Sequence, residues 1–213
     1  MQFNNLTLHT LIMIVTILLS LNAMNKDDIK EKMMFIPYLC KKDGQNYRIF
    51  SHLFIHADIP HLAFNMMSFY FLGSILEFQL MEFYGGLQGE IYFGVLYFLG
   101  GLFATVIPYS RNHENPYYRS LGASGAVSAV VFAFVVWNPG EDLEVMFFPM
   151  VAWQFGILYL VLEYYADKKG NTGIAHDAHI GGAIFGIIFI LLINIDKGIK
   201  ILTLDFKLWH SYL

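Results

Sequence analysis

Three short stretches of the sequence place polar side chains at the start of long apolar segments. They are His61-Leu-Ala-Phe-Asn65, Gly122-Ala-Ser124-Gly125 and Ala178-His179-Ile-Gly-Gly182. A serine hydroxyl can attack a carbonyl carbon, and a neutral imidazole can take the serine proton and return it to a leaving amine. Nearby N–H donors can hold the oxyanion that forms. Brought together, these residue types predict a serine hydrolase.

Ser124 lies between glycines, which leave its hydroxyl uncrowded and let the backbone approach a substrate. A serine at a helix N-terminus also sits among backbone N–H groups that lack an intrahelical partner. The alternative is that Gly122, Ser124 and Gly125 only allow close helix packing, as small residues often do in membranes. Taken alone, the Gly-Ala-Ser-Gly stretch favours packing. Ser128, one turn later, is expected to belong to that packing.

His179 strengthens the catalytic interpretation. Gly182 and Gly186 are four residues apart and would let their helix lie close against the small residues that follow Ser124, which would bring His179 near Ser124. The alternative is a histidine bound to a loop carbonyl. Asp177 is two residues away and in a helix points to another side, so the sequence predicts a Ser-His dyad.

His61 and Asn65 are four residues apart, so they share one helical face, and both can donate hydrogen bonds. Aimed at a tetrahedral oxygen, one such donor contributes about 3–4 kcal/mol. The alternative role for both residues is hydrogen bonding between helices.

A metal site is the other chemistry to consider, because the sequence offers the histidines His52, His56, His61, His176 and His179. The first two have the four-residue spacing of helical ligands. Zinc hydrolases of membranes add a carboxylate base, as in His-Glu-x-x-His, and no such motif occurs in the sequence. The sequence therefore argues against a metal site, and we expect His52 and His56 to brace the loop that precedes His61.

Composition points to lipid as the solvent. Of 213 residues, 56% are hydrophobic and 14% are charged, whereas a soluble domain has about a quarter charged. The net charge of −4 argues against nucleic acid as a partner, and a single cysteine, Cys40, excludes an intrachain disulfide. The first apolar run has no basic residues before it and a poor cleavage site, so we expect a retained span rather than a signal peptide.

The sequence predicts an all-α membrane protein, a single domain over residues 1–213 built as a bundle of six transmembrane helices. A helical span needs about 17–25 mostly apolar residues. The expected spans are Leu6–Leu21, His61–Phe78, Ile91–Tyr109, Ser124–Trp137, Phe147–Ala166 and Ala178–Ile195, followed by an amphipathic tail over 196–213.

Two further expectations follow from these spans. The long first loop, Asn22–Pro60, mixes lysines with apolar residues, so we expect it to lie partly in the membrane interface, with a soluble hairpin as the alternative. The fourth span is short and rich in small residues, so it should stand nearly upright in the membrane or be partly buried by its neighbours. All three polar clusters follow odd-numbered loops, so they should meet near one membrane face.

In this order and placement, the motifs resemble those of the rhomboid proteases. The resemblance runs from about Tyr47 to Gly186 and rests on the Gly-Ala-Ser-Gly, Ala-His-x-x-Gly-x-x-x-Gly and His-x-x-x-Asn motifs. It also includes Tyr47-Arg48, the His52–His56–His61 series and Glu77. It implies a six-span bacterial-type serine endopeptidase that cleaves transmembrane proteins near the bilayer surface, with no cofactor and no metal.

The resemblance also implies roles for individual residues. Ser124 would be the nucleophile and His179 its base, with His61, Asn65 and the Ser124 N–H forming the oxyanion hole. Tyr47 and Arg48 would anchor the first loop. Ser128 departs from a family position often occupied by an aromatic ring stacked on the catalytic histidine, which leaves the support of His179 open.

Membrane orientation is the point on which two indications disagree. Ten of the 13 Lys and Arg residues fall in odd-numbered loops, so the positive-inside rule places the active face in the cytoplasm. The resemblance implies the opposite orientation, in a bacterial inner membrane, and we follow it.

Two other classes of protein stay open. An inactive rhomboid-like protein would bind membrane clients with the same fold, but it typically lacks the serine or the histidine. A transporter or channel would place its polar residues near mid-membrane.

Overall fold

The computed structural model describes residues 6–145, 147–170 and 172–195, and the expected tail over 196–213 lies outside them. Within these residues the chain forms helices joined by short loops and one hairpin. The helices are α1 (Leu8–Met24), α2 (Asp27–Met33), α3 (Pro37–Asp43), α4 (Arg48–Ser51), α5 (Ile59–Ser68), α6 (Ser74–Tyr84), α7 (Gly86–Ala104), α8 (Val106–Asn112), α9 (Ser124–Trp137), α10 (Ala152–Lys169) and α11 (His176–Ile193).

Three helical stretches in the described part of the chain are long and apolar enough to cross a membrane. They are Ile59–Tyr84, which joins α5 to α6 through a π-helical segment, Gly86–Asn112 and His176–Ile193. The apolar helices α1 and α9 are shorter. Helices thus occur at all six expected places, and the count of six membrane spans stays a prediction.

The expected start of the fifth span, Phe147, is wrong. Residues Asp142–Val145 (β1) and Phe148–Val151 (β2) pair as an antiparallel hairpin, and helix α10 begins only at Ala152. Pro149 disfavours helical backbone at the residue before it, so the apolar residues around it cannot start the helix. Helix α10 then continues past Ala166 to Lys169 and carries charged residues in its last two turns. The expected span ended too early because it was drawn around the apolar residues and left these charged ones out.

Helix α9 is the centre of the fold. Every residue from Gly125 to Trp137 is buried, and the helix packs against α7, α10 and α11. The expectation that neighbours would bury this short helix is therefore confirmed.

The first loop folds onto the bundle as the short helices α2, α3 and α4, rather than as a hairpin of strands. Phe35 and Ile36 are buried, and Phe35 exchanges two backbone hydrogen bonds with Ser120, of 2.9 and 3.1 Å. Arg48 is also buried, and its guanidinium donates to the carbonyls of Glu31 and Met34, at 2.7 and 2.9 Å. These contacts fix the first loop against the segment that leads to Ser124.

Candidate functional site

Ser124 is the first residue of α9, and the loop before it is held by the segment that precedes α5. The Gly122 N–H donates to the His52 carbonyl at 3.0 Å, and the Ala123 N–H donates to the His56 ring at Nε2, at 3.2 Å. Gly122 has a φ of 127°, which glycine adopts without strain. The loop is thereby fixed so that the half-buried Ser124 begins the helix with its own N–H free of an intrahelical partner.

His56 makes this contact as a neutral ring. Its Nδ1 lies 2.9 Å from Ser20 Oγ, and the Ser20 hydroxyl lies 3.0 Å from the Phe54 carbonyl. Since Nε2 accepts from Ala123, Nδ1 carries the proton and donates to Ser20, whose hydroxyl donates onward to Phe54. A second proton on His56 would remove the acceptor that holds Ala123.

Burial keeps both bracing histidines uncharged. Desolvation lowers the pKa of His52 to about 4, against hydrogen bonds to backbone carbonyls that raise it. Desolvation, with the neighbouring His61, lowers the pKa of His56 to about 3. Both values lie below the ordinary histidine pKa of about 6.5.

These shifts predict that the protein loses stability in mild acid. The unfolded chain takes up protons at both positions once the pH falls below about 6.5, whereas the folded protein does not until the pH nears its own lower pKa values. Between pH 7 and pH 5 the free energy of unfolding should therefore fall by roughly 2 kcal/mol for each histidine, with little change above pH 7. The measurement is the unfolding midpoint in detergent across this range.

The matched variant for this prediction is His56→Gln, which keeps a polar side chain but cannot titrate. We expect its midpoint to depend less steeply on pH than that of the parent, whatever its absolute stability. An unchanged slope would contradict the assignment of His56 as a buried neutral histidine.

Helices α9 and α11 meet backbone to backbone. A methyl group built on Gly182 would overlap the Gly125 carbonyl, and one on Gly186 would overlap the Ala129 carbonyl. At the end of this contact, a methyl group on Gly125 would lie 3.6 Å from the Ala178 carbonyl oxygen. The close contact of α9 with α11 that the glycine spacing predicted is thus confirmed, and it brings the chain neighbours of Ser124 and His179 near each other.

His61 is beside the serine loop. Asp58 caps α5, accepting from the His61 N–H at 2.8 Å, and the ring reaches Gly122, where an added methyl group would lie 2.8 Å from its Cε1. Asn65 is buried one turn further along. Its amide donates to the His61 carbonyl at 2.9 Å, so one of its two N–H hydrogens is used within the helix and one is left for another acceptor.

The residue that sequence reasoning missed is Glu163 of α10. Its Oε1 lies 3.0 Å from His179 Nδ1, and its Oε2 lies 2.6 Å from His176 Nδ1. The signal was present, because Glu163 is an ionisable residue inside an expected apolar span, which is by default a functional position.

The Ser128 position is filled differently from the family pattern. Ser128 Oγ lies 2.8 Å from the Tyr159 hydroxyl, so it binds α10 rather than supporting His179. The His176 ring lies edge-on to the His179 ring, with 6.0 Å between centroids. Asp177, as expected, points elsewhere and lies 3.2 Å from Arg111 Nη1.

Glu163, His176 and His179 could also hold a metal ion, since their ligand atoms all lie within 4.8 Å of one another. The sequence argument against a metal counted His176 and His179 among the histidines but did not include Glu163. His52 and His56, the pair with ligand spacing, are engaged with backbone groups.

The remaining residues singled out in the sequence have structural contacts. Tyr47 is half exposed next to the buried Arg48. Glu77 is buried in α6 and accepts from the His9 N–H at 2.9 Å, which satisfies a free donor at the start of α1.

The chain matches the model of the rhomboid domain over residues 43–195. This match covers more than half of the chain, and the protein belongs to the rhomboid family. Family and apolar helices together make it a membrane protein.

Curated relatives come from bacteria and from mitochondria. The chain is 30% identical over 159 residues to rhomboid protease GlpG of Yersinia pestis, covering 71% of this chain and 50% of that protein. It is 28% identical over 155 residues to RHOMBOID-like protein 12, mitochondrial, of Arabidopsis thaliana, covering 67% and 45%. It is 30% identical over 142 residues to presenilin-associated rhomboid-like protein, mitochondrial, of Bos taurus, covering 64% and 35%.

The chain thus spans half or less of the length of these relatives. Because they include mitochondrial proteins, the comparisons do not support a bacterial origin in particular.

Proposed function

We propose that the protein is an intramembrane serine endopeptidase in which Ser124 is the nucleophile and His179 the general base. The observation that carries the proposal is the contact of α9 with α11 through Gly125 and Gly182, which brings the two helix beginnings together. The His61 ring lies against the same loop. Three segments distant in sequence therefore supply a nucleophile, a base and a hydrogen-bond donor at one end of the bundle.

The chemistry follows from these positions. His179 Nε2 takes the proton from the Ser124 hydroxyl as the oxygen attacks the scissile carbonyl, and it then donates this proton to the leaving amine. Water hydrolyses the resulting acyl-enzyme by the reverse proton transfers. The Ser124 N–H, the His61 ring and the free Asn65 N–H donate to the oxyanion.

The substrates we propose are transmembrane proteins cleaved near the membrane face that carries the odd-numbered loops. The chain would form one membrane domain with six spans, in which α1, α9 and α10 cross beside the three helical stretches that are long and apolar enough to span a membrane. A substrate helix must unwind before its backbone reaches Ser124. The preferred cleavage sites are therefore sequences of low helix propensity. The protein would lie in a bacterial inner membrane with this face outside.

The second candidate is an inactive rhomboid-like protein that binds membrane clients, for which no metal or nucleophile is needed. The two are separated by a serine-directed phosphonate probe, which forms a covalent bond only with an activated serine. We expect the purified protein in detergent to be labelled, with mass spectrometry placing the adduct on Ser124.

A metal-dependent reaction at Glu163, His176 and His179 is tested in the same experiment. We expect labelling and peptide-bond cleavage to be unchanged after treatment with a chelator, since no step requires a metal. Loss of cleavage on chelation and its return with zinc would contradict the proposed mechanism, as would the absence of any adduct on Ser124.

A further inference from the structure

The carboxylate of Glu163 lies between two imidazole rings that are on the first turn of α11. Each oxygen binds one ring at Nδ1, His179 at 3.0 Å and His176 at 2.6 Å. All three side chains are largely buried, with 11–14% of each exposed. Helix α10 contributes few fully buried residues, Ala152 and Gly156 among those described, so the Glu163 contact is one of a small number of close contacts that this helix makes with the bundle.

With both imidazole rings neutral, one pattern of protons joins the cluster. His176 Nε2 lies 2.9 Å from the Thr172 hydroxyl and accepts from it, and the same hydroxyl lies 3.4 Å from the Ile174 carbonyl. His176 Nδ1–H and His179 Nδ1–H then each donate to one oxygen of an ionised Glu163. In this arrangement His179 carries its proton on Nδ1, and its Nε2 is the unprotonated nitrogen that a general base requires.

We propose that Glu163 is a positioning residue for the reaction at Ser124, which fixes the tautomer and the orientation of His179 and stabilises its imidazolium. This inference rests on the proposed function and extends it, since the sequence motifs predict only a Ser-His dyad. His176 holds the second oxygen and so keeps the carboxylate directed at His179. The role corresponds to that of the acid in a serine–histidine–acid triad, supplied here from a different helix.

The other charged and polar groups near the cluster have partners of their own. Arg111 of α8 is bound to Asp167, at 2.9 Å, and to Asp177, at 3.2 Å. The Tyr159 hydroxyl, one turn before Glu163, lies 2.8 Å from Ser128 Oγ, and it also interacts with Glu163. From α5, His61 is close enough to His179 for the two imidazoles to interact.

The test replaces Glu163 by glutamine and measures cleavage of a transmembrane substrate in liposomes. An amide has one acceptor oxygen and one donor nitrogen, so it cannot accept from both rings and leaves His179 free to adopt the wrong tautomer. We expect kcat to fall by between about 10²- and 10⁴-fold with KM nearly unchanged. The acid limb of the kcat/KM profile should move to lower pH, because the imidazolium loses its anion.

Two further variants separate positioning from a merely structural role. Glu163→Asp keeps the charge on a side chain that is one methylene shorter, and we expect an intermediate kcat with the acid limb in place. Asp167→Asn removes a charge from the next turn of α10 that binds Arg111 and no histidine, and we expect activity close to that of the parent.

Several outcomes would overturn the inference. They are a Glu163→Gln enzyme with the kcat and acid limb of the parent, a Glu163→Asp enzyme as impaired as Glu163→Gln, or an equal loss in Asp167→Asn. If Glu163→Gln does not fold, the kcat and acid limb of Glu163→Asp decide. Failure of the proposed function would be distinct, since Ser124→Ala would then cleave like the parent in the same assay.

Discussion

Replacing His179 by glutamine is expected to lower kcat for cleavage of a transmembrane substrate by about 10⁴-fold or more, because glutamine cannot take and return the serine proton. The amide is close in size to the ring, and α11 is held to α9 by the glycines of its next turns rather than by His179. The variant should therefore fold, with an unfolding midpoint near that of the parent, and the measurement is the single-turnover cleavage rate in liposomes.

The control for this variant is His113→Gln. His113 follows α8 and has a ring bound at Nδ1 to the Tyr109 carbonyl, at 3.0 Å, and it has no place in the proposed mechanism. We expect it to retain the activity of the parent. A folded His179→Gln protein that cleaves as fast as His113→Gln would contradict the role of His179 as the base.

Replacing Gly182 by alanine is expected to damage both stability and activity. The new methyl group would overlap the Gly125 carbonyl, and because both surfaces are backbone, neither can move aside as a side chain could. Overpacking of this kind costs typically about 1–3 kcal/mol, and we expect the upper end of this range or more. Separating the helices also separates Ser124 from His179, so kcat should fall with the unfolding midpoint.

Gly86→Ala is the matched control for that variant. It adds the same methyl group at the start of α7, where nothing lies within 4 Å, and alanine favours the helix. We expect an unfolding midpoint equal to or above that of the parent. Equal midpoints for Gly182→Ala and Gly86→Ala would contradict the close packing of α9 on α11.

The contact between α9 and α11 could be predicted from the sequence because glycine spacing and loop order are local patterns with few structural solutions. Gly182 and Gly186 can serve a close helix contact, and three clusters that follow odd-numbered loops must share a membrane face. The burial of α9 by its neighbours could be predicted from its short length and its small residues, whereas its central position could not. The proposed pairing of Ser124 with His179 uses the same reasoning.

Other features required the folded chain. Glu163 was overlooked because the span that contains it was identified by its overall apolar character. Its partners His176 and His179 lie on the next helix, so no local pattern connects them to it. The β1–β2 hairpin was missed because Phe147 and Phe148 are as apolar in a strand as in a helix, and only Pro149 indicated the difference. The contacts of His52 and His56 with the loop before Ser124 depend on tertiary folding.

The central claim is that Ser124 cleaves peptide bonds of transmembrane proteins, and it is tested most directly in liposomes that contain only the enzyme and a labelled transmembrane substrate. Ser124→Ala removes one oxygen atom and leaves the packing of α9 on α11 in place. The account predicts that the parent releases a product cut near the membrane face and that Ser124→Ala releases none. Equal cleavage by the two proteins would contradict this account. So would the absence of cleavage by a folded parent across a set of substrates whose transmembrane segments have low helix propensity.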